Sequence, residues 1–164
     1  MLLKQLKEKK GDMKAMKINN DIKTHLEYLG YAMAPYEDDL LFMKPGFPST
    51  FLTTLSANRT LIKGSYGVNS NGEVNELSYL RFINELNIIS DCTTFIAGEK
   101  TLVFTATYNG IYDRIEFGQF MQAWENDVTA LLYHHSKTQF FLSEDCPNID
   151  MTAINQPASK QYQA

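Results

Sequence analysis

A long apolar stripe between residues 113 and 132 constrains the fold more than any other feature of this sequence. Its members recur every three or four residues: Phe117, Phe120, Met121, Trp124, Val128, Leu131 and Leu132. That spacing predicts an amphipathic helix of about four turns. The D-x-x-E sequence from Asp113 to Glu116 predicts where the helix begins. Because such a stripe must be buried, we expect the helix to pack on a sheet face.

The nearest candidate for that sheet face is a β-hairpin just before the helix. Residues 93–97 and 101–109 predict its two arms, which are joined across Gly98, Glu99 and Lys100. In the second arm, every second residue is apolar, and the residues between them are polar or β-branched. This alternation has the period of a strand in an antiparallel sheet. We expect four side chains of the stripe to lie on this hairpin: Phe117, Phe120, Trp124 and Leu131.

The remaining elements predict an α+β fold with about five strands. A first helix starts near Asn19, carries Ile22, Leu26 and Leu29 on one side, and ends at Gly30. Strands are predicted over 40–43, 51–56 and 60–66, followed by a loop over 65–72. A second helix over 76–88 has four apolar positions, at Leu77, Leu80, Ile83 and Leu86. The order α-β-β-β-α-β-β-α predicts a mostly antiparallel, twisted sheet flanked by helices.

Charge divides the chain into a short basic leader and an acidic body. Residues 1–17 carry six lysines against two acidic side chains, a net charge of +4. Residues 18–164 carry nine basic and seventeen acidic side chains, a net charge of −8. We predict a flexible leader over 1–17, one domain over 18–142 and a loose polar tail over 143–164. An acidic domain repels phosphate backbones, so nucleic acid is not an expected partner, although the leader alone could contact RNA or an anionic surface.

Cysteine content and hydropathy predict a cytoplasmic protein. The two cysteines, Cys92 and Cys146, form no C-x-x-C motif and have no histidine at zinc-binding spacing. Two thiols in a chain of this size stay free in a reducing compartment. No apolar run approaches the ~20 residues that span a bilayer, so a membrane is not an expected partner. The start of the chain has no signal-peptide core.

A search for catalytic and metal-binding patterns finds none that is specific. His134 and His135 are adjacent, so on a helix they point about 100° apart and cannot chelate one metal ion. His25 borders the apolar side of the first helix, and Cys92 leads into a strand with no base nearby in the sequence. The acidic run over 37–39 lacks the glycine and the distal glutamate of a calcium loop. We therefore predict no enzyme activity, no cofactor and no metal site.

Three segments and the order of the elements carry a resemblance to a known group. Residues 26–31 read L-E-Y-L-G-Y, residues 82–87 read F-I-N-E-L-N, and the strand over 102–109 precedes a long helix over 115–133. Over residues 19–137 the chain resembles the YbjN-like family and its structural relatives, the type III secretion chaperones of the CesT type. The resemblance implies a non-enzymatic, dimer-prone, helix-flanked sheet that offers a hydrophobic surface to a partner.

Together these observations predict a chaperone-like or regulatory module that binds another protein. Ten Phe, nine Tyr and seven Met suit an adaptable binding groove, although any of them can equally fill the core. The predicted partner-binding residues are Tyr79, Phe82 and Ile83 on the second helix and Val103 and Thr105 on the strand over 101–109, which we expect at a sheet edge.

The same two surfaces predict a homodimer. Its interface is expected to bury roughly 1,200–2,000 Å² in total, the standard interface class. A monomer whose sheet edge is covered by the C-terminal tail is the alternative. The rival function is a small-molecule binder or enzyme with a pocket under the helix over 113–132.

Overall fold

Helices and strands follow one another in blocks along the chain. The computed structural model describes residues 19–98, 100–134 and 137–143. The helices are α1 (Asn20–Tyr28), α2 (Ser70–Val74), α3 (Glu76–Ile89), α4 (Arg114–Thr129), which a π-helical turn over Ala130–His134 continues, and α5 (Thr138–Phe141). The strands are β1 (Ala32–Tyr36), β2 (Asp39–Met43), β3 (Thr50–Ser56), β4 (Arg59–Gly67), β5 (Thr94–Ala97) and β6 (Thr101–Asn109). The predicted α+β class is confirmed.

Some of the predicted features lie outside the described residues. These are the leader over 1–17, the tail except Ser143, His135 and the side chain of His134. Two predicted helix starts are confirmed by their caps. The Asn19 side chain accepts a hydrogen bond from the backbone N–H of Asp21, and Asp113 accepts two at the start of α4. Each cap satisfies N–H groups that the first helical turn leaves without a partner.

The strand order is β1-β2-β3-β4-β6-β5, and each neighbouring pair is antiparallel. The sheet therefore has six strands, one more than the sequence predicts. β6 lies between β4 and β5, with β4 paired along its full length. The expectation that residues 101–109 form an open edge is wrong, because two other strands take both sides of β6. The edges are β1 and β5.

β1 is the strand that the sequence prediction omits. It contains Pro35 and small residues, which are unfavourable in strands. Proline cannot donate a ladder hydrogen bond, so it is tolerated on an edge strand, which is where β1 lies. The short helix α2 is a second omission. The segment over 65–72 was expected to be a loop, whereas the structure extends β4 to Gly67 and starts α2 at Ser70.

One hydrophobic core lies between α1, α3 and α4 and one face of the sheet. Trp124 of α4 is completely buried, as predicted, but the aromatic rings that contact it in the described part of the chain belong to Tyr31, Phe42 and Phe47 and not to the β5–β6 hairpin. Its ring lies 5.8 Å from that of Phe42 in β2 and 6.2 Å from that of Phe47. One end of α4 instead meets β6, where the Phe117 ring lies 5.3 Å from that of Tyr108. α4 therefore crosses the sheet from β6 to β2.

The edge strand β5 is held by two polar side chains from the helices. Asn87 of α3 accepts a hydrogen bond from the N–H of Phe95 and donates one to its carbonyl oxygen, each at 2.8 Å. Asp127 of α4 accepts bonds from three consecutive N–H groups, those of residues 91, 92 and 93, at 2.8–3.0 Å. Asp127 is only 5% exposed, so these bonds compensate its burial. The Asn87 amide occupies the position that a further strand would take beside Phe95, and Asp127 anchors the segment just before β5.

Truncation of Trp124 tests the packing of α4. Its indole Nε1 has no hydrogen-bond partner among the described residues, so its contribution to stability comes from packing. We expect Trp124→Ala to lower the free energy of unfolding by about 3–5 kcal/mol in urea titrations. Ile115→Ala, on the exposed side of the same helix, is the control and should change it by less than about 0.5 kcal/mol. Equal stability of the two variants would contradict this packing.

Replacement of Asp127 tests the anchor of β5. Asn has nearly the same shape, but its amide nitrogen cannot accept a hydrogen bond, so at least one buried N–H of residues 91–93 loses its partner. We expect Asp127→Asn to destabilise the protein by about 2–3 kcal/mol. Glu116→Gln, an exposed carboxylate on the same helix, should change stability by less than about 0.5 kcal/mol. An Asp127→Asn variant as stable as the wild type would refute the anchor.

Candidate interaction surface

The side of α3 that faces solvent carries three large apolar side chains beside the exposed polar residues Arg81 and Asn84. Leu77, Leu80 and Ile88 lie at helical spacing on this side and are 63%, 43% and 73% exposed. We call these three residues the outer stripe. Val74, at the end of α2, is 83% exposed and immediately precedes α3. A helix on the surface of a soluble domain normally presents polar residues to water, so the outer stripe is a candidate contact surface.

The opposite side of α3 faces the core and carries Tyr79, Phe82, Ile83 and Leu86, all buried. Burial raises the pKa of Tyr79 to about 12. The predicted partner-binding residues Tyr79, Phe82 and Ile83 are therefore corrected to core residues, because a buried side chain is not accessible to a partner in this conformation. Leu77 and Leu80, two of the four apolar positions of the predicted second helix, are on the exposed side.

The other two predicted contact residues lie on the sheet face that points away from the helices. Val103 and Thr105 are half-buried in β6. Val103 pairs with Ile96 of β5 and with Ser65 of β4, whereas Thr105 pairs with Thr94 and Lys63. The structure thus separates these two residues from the core residues of α3. A role for Val103 and Thr105 in partner binding stays a prediction.

A groove of about 610 Å³ lies between the start of α3 and the β5–β6 turn. Glu73, Glu76 and Leu80 line one wall, and Ala97, Gly98 and Lys100 line the other. Leu80 belongs to both the groove and the outer stripe, so the two are adjacent. Among the described lining residues the two carboxylates outnumber the single lysine, which makes the groove acidic.

A smaller cleft, of about 310 Å³, lies where α1 meets the start of α4. The Nδ1 atom of His25 is 3.1 Å from the hydroxyl oxygen of Tyr112, and the guanidinium of Arg114 lies over the Tyr28 ring. Burial lowers the pKa of His25, and the Arg114 charge adds to this, so both favour the neutral imidazole. His25 therefore acts as a hydrogen-bonded boundary residue, as its position in the sequence predicts.

Two other polar groups are engaged within the fold. Glu125 accepts hydrogen bonds from the Tyr31 hydroxyl at 2.7 Å and from the Lys44 ammonium at 2.9 Å. Burial and the bond to Glu125 raise the pKa of Tyr31. Cys92 is a half-buried free thiol, and burial raises its pKa to about 11. A thiol with that pKa is protonated at neutral pH and is a weak nucleophile.

The described residues contain neither a metal-binding cluster nor a membrane-spanning helix. Within 19–98, 100–134 and 137–143, no three His, Cys, Asp or Glu side chains come together in an arrangement that could hold a metal ion. None of the helices there is both long enough and apolar enough to cross a bilayer. On the side of α4 that faces the sheet, Phe117, Met121, Trp124 and Val128 are buried in the core. A ligand pocket under α4 stays a prediction.

Comparison with known proteins identifies the fold. No protein-family model matches the chain, and no curated protein matches it. Among solved structures, it matches YbjN from E. coli, which is described as a proposed transcription regulator, at 13% sequence identity with a TM-score of 0.60. The match covers 76% of this chain and 94% of the YbjN chain. The resemblance stated from the sequence is confirmed at the level of the fold: the chain has a YbjN-like fold.

Proposed function

We propose that this chain is a non-enzymatic, regulatory or chaperone-like module that binds another protein through the outer stripe of α3. The observation that carries the proposal is that α3 carries large apolar residues on both sides, with exposed Arg81 and Asn84 among those on the outer side. Tyr79, Phe82 and Leu86 fill the core, and Leu77 and Ile88 are exposed directly opposite. Burying exposed apolar surface against a partner contributes about 25 cal/mol per Å² before the costs of association, so covering this side of α3 is favourable.

A protein fits this surface better than nucleic acid does. Residues 18–164 have a net charge of −8, and Glu73 and Glu76 lie beside the outer stripe. Both features repel phosphate. One solved structure with this fold belongs to a proposed transcription regulator. If this chain also regulates transcription, we propose that it does so by contacting a protein and not by contacting DNA. We propose the cytoplasm as its location, because its few cysteines suit a reducing compartment.

We still propose a homodimer, but through a different surface from the one that the sequence predicts. Pairing through β6 is closed because β6 is internal, β5 is covered at Phe95 by Asn87, and the other edge strand, β1, contains Pro35, which cannot donate a ladder hydrogen bond. A symmetric contact would therefore use the outer stripe, with the same residues contributed by each copy.

Charged substitutions in the outer stripe test the proposal. Leu77→Asp combined with Ile88→Lys places each charge at the helix end whose dipole it complements, so α3 should stay folded. We expect melting within a few degrees of the wild type and loss of the partners that the wild-type chain captures from its native cell extract, measured by quantitative mass spectrometry. The control combines Ile111→Lys with Ile115→Asp, two equally exposed apolar residues elsewhere. Equal capture by both double variants would contradict the proposed surface.

Light scattering at micromolar concentration tests the self-contact separately. A dimer through the outer stripe predicts twice the 18.7 kDa chain mass for the wild type and a monomer mass for the Leu77→Asp, Ile88→Lys variant. A wild-type mass of 18.7 kDa that is unchanged after tenfold concentration would rule out the dimer and leave binding to another protein as the proposed function.

A further inference from the structure

The backbone of β5 is closed towards its outer side at one position, Phe95, and open at another, Ala97. Phe95 directs its N–H and C=O groups away from β6, because both are bonded to Asn87 of α3. Residues two apart in a strand direct these groups to the same side, so Ala97 also faces outward. Thr93 lies just before the strand. The N–H of Thr93 is bonded to Asp127. At Ala97, no group among the described residues takes the corresponding place.

This open position lies in the groove between α3 and the β5–β6 turn. Gly98 turns back towards β6 by donating its N–H to the Thr101 carbonyl at 2.7 Å, which leaves the outward groups of Ala97 at the groove wall. Facing them across the groove is α3, with Leu80 as an apolar contact and Glu76 one helical turn earlier. The groove therefore combines a backbone donor and acceptor, an apolar contact and a negative charge.

We infer that this groove binds a short, extended segment of a partner protein that carries a basic side chain beside an apolar one. The backbone of the segment pairs with Ala97 through one N–H···O=C and one C=O···H–N bond. Its apolar side chain contacts Leu80, and its Lys or Arg lies near Glu73 and Glu76. The inference rests on the proposed protein-binding function and specifies the partner segment.

The partner segment can pair with β5 only at Ala97, because Asn87 occupies the next outward position. A partner strand that continued along β5 would next meet Phe95, whose outward groups are already bonded to the Asn87 amide. Specificity must therefore come mainly from side chains in the groove, with the two bonds at Ala97 fixing the direction of the segment. The charge of −8 over residues 18–164 steers basic segments towards the domain and makes binding weaker at high salt.

Two substitutions remove separate parts of the groove. Ala97→Pro deletes the outward N–H, which the β5–β6 ladder does not use, and proline is tolerated at such an edge position. Glu76→Lys reverses one groove charge at an exposed position, so it tests the inference even if Ala97→Pro disturbs β5. Glu27→Lys on α1, an equally exposed charge reversal away from the groove, is the matched control.

The probe is a phage-displayed library of random dodecapeptides selected on the full chain, with enriched peptides then measured by fluorescence anisotropy. We expect enriched peptides to contain Lys or Arg next to an apolar residue. We expect their affinity to fall about tenfold with Ala97→Pro and with Glu76→Lys, and to stay unchanged with Glu27→Lys. Affinity should also fall as salt rises from about 50 to about 500 mM.

Two results would overturn the inference: a library from which nothing is enriched, or enriched peptides whose affinity is the same for the wild type, Ala97→Pro and Glu76→Lys. The Leu77→Asp, Ile88→Lys variant separates this failure from failure of the proposed function, because neither residue lines the groove. Loss of captured partners with that variant, together with unaffected binding by the groove variants, would keep the outer stripe and reject the groove.

Discussion

The carboxylate of Asp127 and the carboxamide of Asn87 complete the hydrogen bonds of a strand that has no neighbour on its outer side. Asp127 accepts from three consecutive N–H groups where α3 ends and β5 begins, and Asn87 bonds both backbone groups of Phe95. An edge strand with these groups open would invite pairing with other chains. Here two helices supply the missing partners, and this fixes the position of α3 and α4 relative to the sheet.

The orientation of α3 follows from that attachment. With Asn87 bonded to β5, the helix directs Tyr79, Phe82 and Leu86 into the core and presents Leu77 and Ile88 to solvent. The groove beside Ala97 begins where the Asn87 bonds to Phe95 end. The position of Asn87 therefore determines both where the edge of β5 is closed to a further strand and where it is open. A protein that prevents strand pairing along most of its edge can still offer one short, selective place for a partner segment.

The sequence predicts those helices and strands that have one apolar and one polar side. It does not predict which side is buried when both sides carry apolar residues. The stripe of α4, the alternation in β6 and the caps at Asn19 and Asp113 are recognised because each satisfies a local physical requirement. α3 has apolar residues on both sides, so periodicity alone does not distinguish Tyr79 and Phe82, which are buried, from Leu77, which is exposed. Pro35 is compatible with β1 only because this strand lies at the sheet edge, and the position of a strand in the sheet cannot be read from the local sequence.

Strand order and the polar contacts of β5 depend on residues distant in the sequence. Nothing near Asp127 indicates that it bonds a segment 34 to 36 residues earlier, and nothing in residues 101–109 indicates that two strands flank them. The candidate groove combines both kinds of information, since it requires the edge position of β5 and the placement of Asn87. The groove therefore could not be predicted from the sequence, whereas an apolar surface on the helix over 76–88 could.

Amide hydrogen exchange, followed residue by residue by NMR, shows directly whether helix side chains close this edge at Phe95 and leave it open at Ala97. The outward N–H groups at the two positions have different environments. The amides of Thr93 and Phe95, bonded to Asp127 and Asn87, should be protected to the same degree as that of Ile96, which faces β6. The amide of Ala97 should exchange at least about a hundredfold faster. An Ala97 amide protected as strongly as that of Phe95 would contradict the account.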